Sequence, residues 1–215
     1  YYIYFLYIVK MYFRLLLMII ISYIVLDIHR FMKKVNERNI RQVDFIDDNT
    51  FDSLLRKQNP VIILKAIEQL PDLFLDVPIN VLDYASNIHS MLSFSHKKYN
   101  IYFFKNRTFR TCYDRTFYVQ LSKDSYLHLY PPSQSTSMYL NQKQENFYVG
   151  PTKKNISEQA KRYPLINKAK YINIKCKEGS ILYIPRSWSF SIPDSTTSAM
   201  IIGSHTIASK ILCFV

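Results

Sequence analysis

The chain opens with its most apolar stretch. Residues 15–26, LLLMIIISYIVL, form a run of twelve without a charged residue, and the stretch before them is apolar apart from Lys10 and Arg14. A core helix of a soluble protein keeps a polar face, whereas a spanning helix needs about twenty apolar residues. The pattern therefore predicts a membrane-targeting helix, either an uncleaved signal anchor or a signal peptide. The anchor is favoured, because Asp27 and Arg30 stand where a cleavage site would follow.

Short helices are predicted next along the chain. Residues 44–58, DFIDDNTFDSLLRKQ, are typical of a turn followed by a helix, and in residues 78–94 apolar side chains recur at helical spacing after Pro78. Between them, the apolar run from Val61 to Leu64 predicts a short buried strand.

From Asn100 onward the pattern changes to short β-branched and aromatic runs separated by turns. The predicted strands are NIYFF (100–104), TFYVQL (116–121), YLHLY (126–130), YINIKC (171–176), SILYI (180–184), FSI (190–192) and SAMIIG (198–203). Their spacing predicts an all-β sandwich or barrel. The sequence thus divides into 1–41, a hydrophobic segment with a basic linker, and 42–215, a mainly β domain with a small helical preface.

Charge adds a candidate binding surface. The formal net charge is +12, and residues 142–177 carry nine Lys and Arg against two Glu. Such a segment predicts contact with nucleic acid or an anionic lipid surface, or else an ordinary solvated face. The candidate phosphate contacts are Lys153, Lys154, Lys161, Arg162, Lys168 and Lys170.

Cysteine and glycine usage narrows the chemistry. Three cysteines without a CxxC pair are not a disulfide framework or a zinc motif, and three glycines leave no phosphate-binding glycine loop. GxSxG is absent as well, so nucleotide-dependent and esterase chemistry are not expected.

The side of the membrane is left open by the sequence. Basic residues after the apolar run outnumber those before it, which favours a cytosolic domain. Asn106 and Asn155 begin glycosylation sequons, which would matter only in the lumen. The expected location is a membrane or the secretory pathway, of the endoplasmic reticulum type.

Two motifs carry a family resemblance. The middle of the chain reads Leu129-Tyr130-Pro131-Pro132, and later Gly179, Leu182-Tyr183-Ile184-Pro185 and Trp188 stand in the order Gly-x-x-Leu-Tyr-Ile-Pro-x-x-Trp. This order resembles the JmjC and cupin-like family of 2-oxoglutarate oxygenases. The resemblance covers about residues 45–205 and implies a double-stranded β-helix. Members of that family hold Fe(II) with two histidines and one carboxylate.

The resemblance also implies where metal ligands would stand, and this chain departs from the pattern there. In the window 108–117, the best overlay puts Cys112 on the first histidine and Asp114 on the carboxylate; a shift of two puts Arg110 and Cys112 there. The second histidine position is Phe190. A replacement site of Asp114, Cys112 and His128 would favour zinc over iron.

Lys123 and Tyr126 are the candidates for the cation position that holds the cosubstrate in the family. The stretch between 100–104 and the metal strand is short, as if a strand pair were lost. The cation position and this short stretch are two further departures from the family pattern, beyond the two missing histidines.

Three functional hypotheses follow. The first is a degenerate JmjC-like domain without a cofactor, acting as a binding or scaffold module with a protein partner at a membrane. The second is an active Fe(II)/2-oxoglutarate hydroxylase or demethylase with a non-standard metal site. The third is a basic protein that binds nucleic acid or anionic lipid.

Overall fold

The computed structural model describes residues 2–32, 40–44, 58–66, 95–100, 104, 107–152, 161–193 and 199–205. One helix, α1, occupies Tyr2–Met32. The strands follow in chain order as β1 (Arg41–Val43), β2 (Val61–Ile63), β3 (Ser95–Asn100), β4 (Thr108–Thr111), β5 (Arg115–Gln120), β6 (Ser125–Tyr130), β7 (Gln142–Gln144), β8 (Phe147–Val149), β9 (Ile172–Cys176), β10 (Ile181–Pro185), β11 (Ser189–Ser191) and β12 (Ala199–His205). Between β6 and β9 lie 3-10 helices at Pro132–Met138 and Ile166–Lys168.

The helix α1 is long and apolar enough to cross a membrane. Its apolar window, Tyr7–Leu26, has 20 residues, and none of it is buried inside the molecule. At 1.5 Å per residue this window is about 30 Å long, which matches the hydrocarbon core of a bilayer. A signal sequence near the N-terminus has the same length and composition, so an anchor and a signal peptide both remain compatible with α1.

The described strands form two six-stranded sheets. The first has the order β1-β2-β10-β5-β12-β3, and the second has the order β7-β8-β4-β11-β6-β9. Within them, β3 pairs with β12, β4 with β11, β5 with β10 and β6 with β9, all antiparallel. These nested pairs mean that the chain folds back along itself and then rolls up, which is the jelly-roll arrangement. The predicted mainly β fold, a double-stranded β-helix, is confirmed.

The hydrophobic core comes from the inward faces of the two sheets. Residues of β4, β6, β8, β10, β11 and β12 contribute to one continuous cluster, with Trp188 and Tyr113 among its largest fully buried side chains. Most predicted strands lie where the sequence put them, including Val61–Ile63, which is buried along its whole length.

The first barrel strand differs from the prediction. It occupies Ser95–Asn100, so only Asn100 of the strand predicted at 100–104 lies in a strand, and Phe104 lies outside one. Its sequence, SHKKYN, shows no apolar alternation, so periodicity does not indicate a strand there; in the order of the described strands β3 is the last of its sheet. The expected loss of a strand pair is wrong, since β3 and β4 both find their jelly-roll partners.

A further difference is local. The hairpin of β7 and β8 was not predicted, because strands of three residues are too short to show a periodic pattern. Its turn contains Glu145 with φ 48°. The helices predicted at 44–58 and 78–94 fall almost entirely outside the described residues.

Candidate functional site

The inner face of the second sheet carries phenylalanines at the position where the family resemblance places a metal ligand. Phe190 on β11 lies opposite Phe109 on β4 and opposite Leu129 on β6. All three side chains are at most 1 % exposed. The sequence prediction that Phe190 points into the barrel is therefore consistent with the register, and its neighbours on both strands are apolar.

Phe190 belongs to a compact cluster of aromatic rings. The ring centroid of Phe104 lies 4.8 Å from Phe109, 5.1 Å from Phe147 and 5.5 Å from Phe190. The rings of Phe109 and Phe190 are stacked at 6.1 Å. Edge-to-face and offset contacts at these distances are favourable beyond the area that they bury. The cluster offers a ligand no nitrogen, oxygen or sulfur atom.

Cys112 and Asp114 lie at the end of the barrel where β4 and β12 end and β5 begins, which we call the mouth. Cys112 is buried, and its backbone N–H donates to the Asn146 carbonyl at 2.7 Å. Asp114 is partly exposed in the turn before β5, with its carboxylate 4.0 Å from Nε of Arg115. The β4–β11 register places Phe109, rather than Cys112, across from Phe190.

The alternative overlay fares no better on geometry. Arg110 lies opposite Ser189, and its guanidinium stands 4.7 Å from the ring centroid of Tyr148 on the neighbouring strand. Because side chains alternate along a strand, Arg110 faces the outside of the sheet while Phe109 faces the core. Arg110 and Phe190 therefore lie on opposite faces.

A partly buried polar network lies at the mouth, and sequence reasoning missed it. Asn146 donates from Nδ2 to the Tyr113 hydroxyl at 2.9 Å, and its Oδ1 lies 3.2 Å from Nε2 of His205. With the Asn146 amide in this orientation, Nε2 of His205 carries the hydrogen. The Tyr113 and His205 rings also pack at 4.3 Å. The three residues come from distant parts of the chain, so no local motif could have indicated them.

The network at the mouth is held tightly by β12. A Cβ atom added at Gly203 would come 2.2 Å from Cδ2 of Tyr113, so the glycine is required for the tyrosine ring to lie against the strand. The backbone N–H of Asp114 donates to the Ser204 carbonyl at 3.1 Å. These contacts fix the loop that carries Cys112 and Asp114.

His128 does not join these residues. On β6, Leu127 and Leu129 face the core, whereas His128 stacks on Tyr171 at 4.1 Å on the outer face. Over the described residues, no group of three His, Cys, Asp or Glu side chains could hold a metal ion. An Fe(II) centre of two imidazoles and one carboxylate does not fit the side chains that the described part of the barrel presents.

The two candidates for cosubstrate binding lie away from the mouth. Lys123 is exposed with φ 57° in the turn between β5 and β6, at the opposite end of the barrel. Tyr126 is 48 % exposed on the outer face. The inward positions of β6 are Ser125, Leu127 and Leu129, all buried.

Gln120 closes that opposite end with a second buried network. Its Oε1 accepts from the Tyr118 hydroxyl at 2.6 Å and from Ser125 Oγ at 2.5 Å. Its Nε2 donates to the carbonyls of Ser122 and Lys123 at 2.8 Å and 2.7 Å. Every polar group of this buried amide is satisfied by the turn and by the two strands that it joins, which makes its role structural.

The residues of the second fold motif lie in and around β10. Gly179 has φ 75°, which permits the turn before β10. Tyr183 packs on Phe117 at 5.6 Å, and burial raises the pKa of its hydroxyl. Pro185 ends β10, and its carbonyl accepts from the Trp188 backbone N–H at 3.0 Å.

The motif Leu129-Tyr130-Pro131-Pro132 fixes the start of the long connection after β6. Leu129 is in the core, and Pro131 and Pro132 start the first 3-10 helix. Tyr130 is buried on the outer side within 3.5 Å of Ser191 Oγ, and burial raises the pKa of its hydroxyl.

Two buried side chains, the Trp188 indole and the Cys176 thiol, differ in their availability for binding or reaction. Trp188 is 1 % exposed, and its Nε1 has no hydrogen-bond acceptor among the residues that the structure describes. An unsatisfied buried donor costs about 1–3 kcal/mol, so this N–H is available to an acceptor that reaches it. Burial raises the pKa of the Cys176 thiol to about 12, so this cysteine is a core residue rather than a nucleophile. The sequons at Asn106 and Asn155 lie outside the described residues.

Comparison with known proteins agrees with this architecture. Residues 113–204 match the family model described as "Cupin-like domain". This part of the barrel is therefore similar in sequence to a cupin-like domain, in agreement with the jelly-roll strand order. No curated protein matches the chain.

One similar solved structure is the crystal structure of hydroquinone 1,2-dioxygenase from Sphingomonas sp. TTNP3 with 4-hydroxybenzoate bound. It shares 13 % identity over 54 % of this chain and 60 % of its own, with a TM-score of 0.28. At that score the likeness supports no inference about activity, and the chain spans 60 % of the length of that dioxygenase.

Proposed function

We propose that this protein is a non-catalytic binding or scaffold module, built on a cupin-like domain and held at a membrane by α1. The single observation that supports it is the position of Phe190. The residue at the second histidine position is a phenyl ring at 0 % exposure, packed on Phe104 and Phe109.

The chemical reason is the absence of donor atoms at that point. Iron-dependent oxygenases work through coordination positions that three protein ligands leave open. With Phe190 and Phe109 facing each other, neither strand supplies an imidazole at the shared register. Cys112 and Asp114 are held by backbone contacts to Asn146 and Ser204. The interior is then a core that stabilises the barrel, and its surfaces are left for binding.

Attachment to a membrane rests on α1. The window Tyr7–Leu26 has the length of a bilayer core, and its large apolar side chains are exposed in the folded chain. Exposed apolar surface of that extent is unfavourable in water and favourable in lipid. We favour a signal anchor in a membrane of the secretory pathway over a cleaved signal peptide, with a protein as the partner of the barrel.

Binding of metal and cosubstrate to the full chain tests the proposal. The protein in detergent micelles would be titrated with Fe(II) and then 2-oxoglutarate under anaerobic conditions, with heat measured by calorimetry. We expect no saturable binding of either. An informative comparison is the variant Phe190→His with Phe109→His, which places two imidazoles at the shared register and shows whether added donor atoms there allow any metal binding.

Stoichiometric binding of both ligands would contradict the proposal. The variants Cys112→Ser, Asp114→Asn and His128→Gln would then show whether those residues build a non-standard metal site. Loss of binding in them would support an active Fe(II)/2-oxoglutarate oxygenase instead.

A further inference from the structure

The outer face of β6 and β9 differs from the rest of the barrel surface. The register pairs Tyr126 with Lys175 and His128 with Asn173, and Tyr171 stands just before β9. We call these five residues the β6–β9 face. Tyr171 is 50 % exposed and stacks on His128. Between residues 40 and 205, the exposed large hydrophobic side chains of the described part are Tyr126, Leu165 and Tyr171.

Exposed basic residues lie in the segment that leads into this face. The segment that leads into β9 carries Lys161, Arg162, Lys168 and Lys170, and all four are exposed. No ion pair with a described carboxylate is formed by Lys161, Lys168 or Lys170. By contrast, Lys175 is paired with Asp124 at 2.8 Å, so its charge is largely compensated. The net result is an edge of the barrel that combines exposed aromatic rings with uncompensated positive charge.

This combination matches the chemistry of a membrane interface. Tyrosine rings are enriched where headgroups meet water, and lysines near an anionic leaflet are attracted by its surface potential. An isolated patch of this kind binds weakly, but a patch on a tethered domain meets the surface at a high effective concentration.

Chain connectivity supplies that tether. Eight residues, 33–40, separate the end of α1 at Met32 from β1 at Arg41. Fully extended, a linker of that length spans at most about 30 Å. A barrel of this size is about as wide as the linker is long, so it cannot leave the membrane surface while α1 is inserted.

We propose that the β6–β9 face docks against the anionic headgroups of the membrane in which α1 is anchored. This inference rests on the proposed anchor and names the partner of one surface of the barrel. A single-stranded nucleic acid fits less well. Bases need open aromatic faces for stacking, and one face of the Tyr171 ring is already covered by His128.

Lysine footprinting on the full chain in nanodiscs tests this docking. Discs of phosphatidylcholine alone would be compared with discs containing about 30 % phosphatidylserine, and acetylation rates would be read by mass spectrometry. We expect Lys168 and Lys170 to react at least about threefold more slowly in the anionic discs. This protection should disappear at about 0.5 M salt, because surface charges are screened there. Lys65 and Lys143, on other parts of the barrel, should react equally in both discs.

Matched variants test whether the protection depends on the lysines near this face or on the total positive charge of the barrel. Lys168→Gln with Lys170→Gln should abolish the protection of Lys161, whereas Lys65→Gln with Lys143→Gln removes the same charge elsewhere and should leave it intact. Leu165→Ser with Tyr171→Ser should weaken the protection of Lys161 about twofold. Fluorescence of Trp188, the single tryptophan, checks that each variant is folded.

Three results would overturn the inference. Failure of the chain to float with the discs would remove the anchor and the docking together. Insertion with equal lysine reactivity in both discs would remove the docking alone. Protection by single-stranded RNA in neutral discs, without protection by phosphatidylserine, would assign the face to nucleic acid.

Discussion

The two faces of the second sheet are built by the same strands and have opposite character. On the inside, Phe109, Phe190 and Leu129 stand side by side across β4, β11 and β6, and water is excluded from all three. On the outside, alternate residues of β6 and β9 leave tyrosine, histidine, asparagine and lysine at the surface. The inner face is where related folds carry out chemistry. In this chain that face is a core, and the features suited to recognition are on the outer face.

The difference follows from the burial of one face and the solvent exposure of the other. A buried phenylalanine contributes through packing, so its removal should be costly to stability and neutral to binding. An exposed tyrosine or lysine contributes little to packing, so its removal should spare stability and affect binding. Substitutions on the two faces should therefore separate the two effects.

The largest effect is expected for Phe190→Ala. Removing a fully buried phenyl ring from a packed cluster costs about 3–5 kcal/mol, because the transfer free energy is lost and a cavity remains. Urea unfolding of the full chain in detergent micelles, followed by circular dichroism and by Trp188 fluorescence, would measure the change.

The control for this variant lies on the outer face of the adjacent strand. Tyr126→Ala removes a ring that is already 48 % exposed and should lower the free energy of unfolding by less than about 1 kcal/mol. Equal losses in the two variants would contradict the division between a packed inner face and a solvated outer face.

A somewhat smaller loss, about 3 kcal/mol, is expected for Gln120→Leu. The substitution keeps the volume but leaves the Tyr118 hydroxyl, Ser125 Oγ and two carbonyls in the turn without the amide. The same urea titration measures it. Gln142→Leu, at an exposed position of β7, should change stability by less than about 0.5 kcal/mol. An unchanged free energy of unfolding in Gln120→Leu would mean that the hydrogen bonds of Gln120 add no stability beyond the packing of its side chain.

The sequence predicted the fold better than it predicted the site, and the reason is local encoding. Gly179, Pro185 and the Leu129–Pro132 motif specify turns and strand ends through their own backbone preferences. Spacing along the chain does not specify which residue lies across a strand pair. The overlay assigned Cys112 to the first histidine position from spacing alone, and it could not indicate that Phe109 is the residue that lies opposite Phe190 in the β4–β11 register.

Tyr126 shows what more could have been predicted. The alternation of YLHLY places Leu127 and Leu129 on one side, so Tyr126 could have been assigned to the outer face and removed as a cosubstrate ligand. Nothing comparable exists for Tyr113, Asn146 and His205. They meet only because β4, β8 and β12 converge at the mouth, and such long-range contacts leave no local pattern.

The smallest effect is expected on the outer face, for Asp124→Asn. The hydrogen bond from Lys175 and the backbone N–H of Glu178 hold the pKa of the Asp124 carboxyl below its usual value of 3.8. The same pair raises the pKa of Lys175 above 10.5. A lowered carboxyl pKa stabilises the folded state above pH 3.8 and loses that contribution as the pH falls through the folded value.

The difference in urea midpoint between wild type and Asp124→Asn should therefore be small and constant near neutral pH and should vanish once the pH falls below the lowered pKa of the Asp124 carboxyl. Lys175→Met gives the matched control, because the two variants together should cost less than the sum of each alone. A difference that grows as the carboxyl becomes protonated would be inconsistent with this ion pair. A pair this exposed positions Lys175 beside Tyr126 without adding much stability, so the outer face can change its binding chemistry while the inner core keeps the barrel folded.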